Sequence, residues 1–146
     1  MCNKIRTGDR EFPFEEDGTG WKVFGVSAKT IDETEVNRLV PPFWYSKERY
    51  YVEDGWVRWD DDKYNGFCLF RDKDNAEFWL KEMKKGDNFA LEDGYKDFVL
   101  REVRYKKCKN CREETSSPWN RYGKENVPKV LIVHEFKVVT EEGEIV

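Results

Sequence analysis

Residues 64–87, Tyr-Asn-Gly-Phe-Cys-Leu-Phe followed by Arg-Asp-Lys-Asp-Asn-Ala-Glu-Phe-Trp-Leu-Lys-Glu-Met-Lys-Lys-Gly-Asp, constrain this chain more than any other stretch. The apolar run at 67–70 is too short for a helix and suits a central strand, whereas Ala76, Trp79, Leu80 and Met83 recur at helical spacing. Asp72 or Asp74 is a cap for the helix start and Gly86 a stop. Acidic Asp74 and Glu77 near the start and Lys84 and Lys85 near the end suit the helix dipole, and Glu77 with Lys81 forms a favourable i,i+4 pair. The spacing therefore predicts a buried strand, a capped turn and an amphipathic helix over 74–85.

A chain of 146 residues fits one domain able to bury a core without disulfides or metal. Only 38% of residues are hydrophobic but 16% are aromatic, including six Trp, so large rings must supply much of the core. Charged residues make up 38% and the net charge is −4, which argues against nucleic-acid backbone binding as the main source of affinity. The sequence has no apolar run long enough for a membrane helix and no apolar leader near Met1, so a cytoplasmic protein is expected. There Cys2, Cys68, Cys108 and Cys111 are expected as thiols or metal ligands more often than as disulfides.

Residues 1–20, with Gly8, Pro13, Gly18 and Gly20, read as a flexible N-terminal arm in front of one domain at 21–146. Strands are expected at 21–26, 66–70, 97–106 and 129–139. A short helix is expected at 30–40, where Val36, Leu39 and Val40 share a face before Pro41 and Pro42. Asp54-Gly55 between Tyr50-Tyr51-Val52 and Trp56-Val57-Arg58-Trp59 is a strong hairpin signal. A polar loop of the length of 107–128 is commonly functional or disordered. The order reads as α+β, a mainly antiparallel twisted sheet with one principal amphipathic helix packed on it.

The chemistry-bearing motifs are sparse. Cys108-Lys-Asn-Cys111 has the spacing of a zinc knuckle but is half a site, which Cys2, Cys68 or His134 would have to complete. A redox dithiol with thiols acidified by Lys106, Lys107, Lys109 and Arg112, or two incidental cysteines, are the other readings. His134 is the single histidine and alternates with Ile132 and Phe136, which suits a hydrogen-bonded strand imidazole more than a catalytic base. Asp60-Asp61-Asp62 has the outline of a calcium loop, but Lys63 stands where an oxygen ligand is needed. The aromatic residues from Trp44 to Tyr64 interleave with Lys47, Arg49 and Arg58, and alternation exposes part of them for stacking on a nucleotide or a partner's side chain. Tyr51, Trp56, Arg58, Trp59 and, in the polar loop, Trp119 are the candidate partner-binding residues, with Phe78 as a further anchor off the helix stripe.

Gly66-Phe67-Cys68-Leu69-Phe70 with Asp74 and Ala76, preceded by Trp21-Lys22-Val23-Phe24, resembles a pattern in small phage and prophage proteins. In these an opening strand precedes a Gly-Phe-His-x-Phe strand and a helix with Asp/Glu-Ala. Here Cys68 replaces the common His, so any polar role of that position is not carried over. The resemblance covers about half the chain through short motifs and implies an accessory protein that binds a host component. The element order also resembles compact ADP-ribosyltransferase-like domains. That implies a nicotinamide nucleotide and a catalytic glutamate, for which Glu102 and Glu135 are nominated by strand location alone. The sequence thus predicts a non-catalytic interaction domain binding a protein or nucleotide, with a nucleotide-using enzyme and a zinc-stabilised module as alternatives.

Overall fold

The computed structural model describes residues 2–4, 12–13, 16–41, 50–60, 65–85, 95–107, 111–115 and 129–146. In chain order the strands are β1 (Cys2–Lys4), β2 (Phe12–Pro13), β3 (Gly18–Ile31), β4 (Thr34–Val40), β5 (Tyr50–Glu53), β6 (Trp56–Trp59) and β7 (Asn65–Phe70). Helix α1 (Lys73–Lys85) precedes β8 (Asp97–Tyr105), β9 (Arg112–Thr115), β10 (Lys129–Val133), β11 (Glu135–Val138) and β12 (Glu144–Ile145). Residues 2–4 and 12–13 of the expected N-terminal arm are thus strands, and β9 lies within the expected polar loop.

All the strands join one sheet whose main path runs β2-β9-β10-β7-β3-β8-β11-β6-β5. β1 lies against β7 and β4 against β3, while β12 pairs with β4 in the only parallel ladder among the described residues. β10 and β11 are separated by one residue, His134, yet β10 pairs with β7 while β11 pairs with β8. The bend at His134 brings the path back on itself and curls the sheet into a half-barrel. The expected mainly antiparallel twisted sheet with one principal amphipathic helix packed on it is corrected by this curl. The sheet encloses an interior of its own, and the helix covers only part of its outside.

Two hydrophobic cores follow from the alternation of side chains along each strand. Phe24, Val26, Phe67, Leu69, Val103, Leu131, Val133 and Phe136 point into the half-barrel. Phe67 is its hub, 5.2 Å from Trp59 and 4.8 Å from Phe136 between ring centroids, both edge to face. Val23, Cys68, Phe70, Val130 and Ile132 point outward, where Ala76, Trp79 and Met83 of α1 cover them. Strands buried on both faces carry apolar residues at every position, which is why 67–70 and 130–133 read as unbroken runs. A fully covered Phe or Leu contributes about 1.5–3 kcal/mol, so these central strands supply much of the stabilisation.

The helix begins where capping chemistry places it: the Asp74 amide donates to the Asp72 side chain at 2.9 Å. Gly66 stands in β7 because a Cβ there would lie 2.8 Å from the Val133 carbonyl oxygen. The Asp54-Gly55 hairpin forms as the sequence predicts, with φ of 54° and 79° at its two turn residues. The helix expected at 30–40 does not form, and β4 instead pairs with β3 from Thr34 to Val40. Asp32 and Glu33 make the tight turn, both at positive φ. The β-branched Thr30, Ile31, Thr34 and Val36 around that turn favour strand over helix. The single strand expected at 129–139 is two strands, divided by the bend.

Lys22 of β3 is 1% exposed and points into the half-barrel, where its Nζ donates to the Cys68 carbonyl at 3.0 Å and lies 6.0 Å from the Phe67 ring. Its cross-strand neighbour, Arg101, binds both carboxylate oxygens of Glu144, at 3.0 and 2.6 Å. This clasp fixes the C-terminal β12 segment, and Val146 packs on the interior core. The Arg101 hydrogen bonds hold the Glu144 carboxyl below its usual value despite partial burial.

Candidate functional site

Beyond the helix, the outer face of β3, β8, β11, β6 and β5 carries a polar row that the ladder registers define. Thr19 pairs with Arg104, Arg104 with Lys137, Lys137 with Trp56, and Trp56 with Glu53. Directly paired residues share a face, so these five side chains cross five adjacent strands. The next row holds Glu135, Arg58 and Tyr51. Trp56 is half-buried in this platform, and the Lys106 ammonium lies 4.3 Å from its ring centroid.

The charges divide into tied and untied groups. Arg58 bridges Glu53 and Glu135, each at 2.8 Å, and the hydrogen bonds it donates, first to Glu135 and then to Glu53, raise its pKa further. Lys106 lies 3.5 Å from Glu135. Arg104 and Lys137 are exposed and form no ion pair with a described residue. The platform therefore offers a tryptophan edge, an exposed tyrosine (Tyr51, 45%) and two uncommitted cations beside Lys106.

The candidate residues read from sequence divide in the same way. Tyr51, Trp56 and Arg58 come together on the platform. Trp59 is on the opposite face of the same hairpin, 9% exposed and packed on Phe67, so it supports the surface from inside. Trp119 and Cys108 lie outside the described residues. Cys111 is buried and disulfide-bonded, and a sulfur in a disulfide does not ligate zinc. Among the described residues no cluster of three His, Cys, Asp or Glu side chains is arranged for a metal. Cys68 is not in a disulfide and is buried under α1.

The residues considered for catalysis have structural surroundings. His134 forms the bend, and its carbonyl accepts a hydrogen bond from the Trp59 amide at 2.7 Å. Glu135 is shared by Arg58 and Lys106, and Glu102 is exposed opposite Trp21 on the outer face. Burial raises the Tyr50 pKa, partly offset by Arg38. Arg104, Lys106 and Lys137 are site residues that sequence reasoning missed. The outward alternation of Glu102, Arg104 and Lys106 was readable in the strand expected at 97–106, but the pairing that places Lys137 and Trp56 beside them was not.

A concavity of about 460 Å³ lies on the same outer face, where α1 meets β8. Trp21, Leu100 and Glu102 line it from the sheet, Lys73, Glu77 and Leu80 from the helix, and Val139 to Glu141 from the segment after β11. The chain matches no family model, and no curated protein or solved structure is similar to it at a significant level. No helix among the described residues is long and apolar enough to cross a membrane.

Proposed function

We propose that this protein is a non-catalytic interaction domain that docks an acidic segment of a partner protein on the β8-β11-β6-β5 platform. The observation that carries this reading is the solvent-facing row in which Arg104 and Lys137, without ion pairs to described residues, adjoin the half-buried Trp56. Trp56 and Tyr51 supply rigid contact area, and the cations supply orientation and encounter rate. Glu53, Glu135 and Glu102 share the face, a mixed pattern that suits a protein partner better than a polyphosphate chain, whose affinity grows with the number of cations engaged. A phage-type accessory role, as the sequence resemblance implies, belongs to this proposal. So does a cytoplasmic setting, in which the Cys111 disulfide would meet a reducing environment.

The test is fluorescence anisotropy of a labelled glutamate-rich peptide with the wild type, Trp56→Ala and the Arg104→Ala, Lys137→Ala double variant. Thermal unfolding verifies that each variant folds. The proposal expects binding that weakens with salt, and a loss of about tenfold or more in the double variant. Equal binding by all three proteins, or tighter binding of a single-stranded oligonucleotide of the same charge, would overturn it.

A further inference from the structure

The concavity beside α1 has a chemistry opposite to that of the platform. Its floor is the Trp21 indole, paired across the ladder with Glu102, and one wall is the helix face presenting Lys73, Glu77 and Leu80. The other wall is the segment from Val139, whose amide donates to the Glu102 carbonyl at 2.9 Å. Five charged residues line the space. Arg101 is neutralised by Glu144 and lies 3.4 Å from Glu141, whereas Glu77 and Glu102 form no ion pair with a described residue. This leaves an anionic cleft with one uncommitted cation of its own, Lys73.

The Lys73 ammonium lies 4.8 Å from the centre of the Trp21 ring. As the first residue of α1 it meets the positive end of the helix dipole, an unfavourable place for a cation. Its contact with the indole marks where the cleft accepts positive charge. Leu80, Leu100 and the 47% exposed Val139 add an apolar border of the kind that a methylene stem covers.

We infer that this cleft receives an arginine side chain from a partner polypeptide, with its guanidinium on Trp21 in the position that Lys73 holds in the free protein. A planar guanidinium stacks on an indole and donates to two carboxylates at once, which a compact ammonium does less well. Glu77 and Glu102 are the acceptors, and the apolar border packs on the stem. Lys73 is then a displaceable plug. A free organic cation is less suited, because the cleft supplies one ring and not the several walls of an aromatic cage. Apart from Glu102, none of these residues takes part in the platform proposal.

The test follows the Trp21 indole N–H by NMR, assigned through Trp21→Phe. The probe is N-acetyl-arginine amide and its neutral counterpart N-acetyl-citrulline amide. The arginine probe is expected to shift this resonance to saturation, and the Glu77→Gln, Glu102→Gln double variant to abolish the effect. Lys73→Ala should tighten binding about two- to fivefold, the worth of one exposed cation–π contact, where a purely structural lysine would give no gain. Unchanged or weaker binding in Lys73→Ala, or an equal response to the citrulline probe, would overturn the inference.

Discussion

Arg101 and Glu144 illustrate how a single contact holds a segment. The two side chains are largely covered, at 17% and 7% exposure, and meet in a two-point hydrogen bond. Because this bond lowers the folded-state pKa of Glu144 from its usual 4.5, its stabilisation is present above that value and lost as the pH falls through the lowered one. Glu144→Gln should therefore cost about 2 kcal/mol at neutral pH. The difference from the wild type should shrink towards zero in acid, which urea denaturation at the two pH values will measure. At this scale the sequence showed Tyr51, Trp56 and Arg58, since alternation around Asp54-Gly55 assigns them one face. The same alternation puts Trp59 on the other face, but only the core's position decides which of the two faces points inward. Arg104 and Lys137 were hidden for another reason: their neighbours come from strands about thirty to eighty residues away in the chain, which no local pattern reports.

The two hairpins make the same contrast between elements. Asp54-Gly55 has a glycine where the turn needs positive φ, and the hairpin was legible. Asp32-Glu33 forms an equivalent turn with side chains at both positions, at φ of 49° and 65°, and without a glycine it carried no hairpin signal. An acidic residue held in the left-handed region carries a conformational cost, so Glu33→Gly should stabilise the protein by about 1 kcal/mol, seen as a rise of a few degrees in Tm. α1 was legible almost to its ends because its cap, stripe and terminal charges agree. The break between β10 and β11 was not, since apolar alternation continues through His134 while the backbone changes partners.

For the whole molecule, the deepest residues lie on strands that separate the two cores. Amides of Phe67–Phe70 and Val130–Val133 should exchange with solvent only through global unfolding, with a free energy matching that from denaturation. Amides at the exposed end of the β3-β4 ribbon should exchange much faster, and a hydrogen-exchange series will show both classes. Composition indicated a ring-built core, but not that the sheet would curl to make its own interior. That curl comes from the bend at His134, which makes β10 and β11 the two ends of one circuit through β7, β3 and β8. Such a circuit has little freedom to slide. A shift of one residue in any of its four ladders must be matched by shifts in the others, because the chain through His134 has a fixed length. Misalignment that an open sheet tolerates one strand at a time is here an all-or-none error, so the pairing of distant segments is checked by the geometry of closure itself.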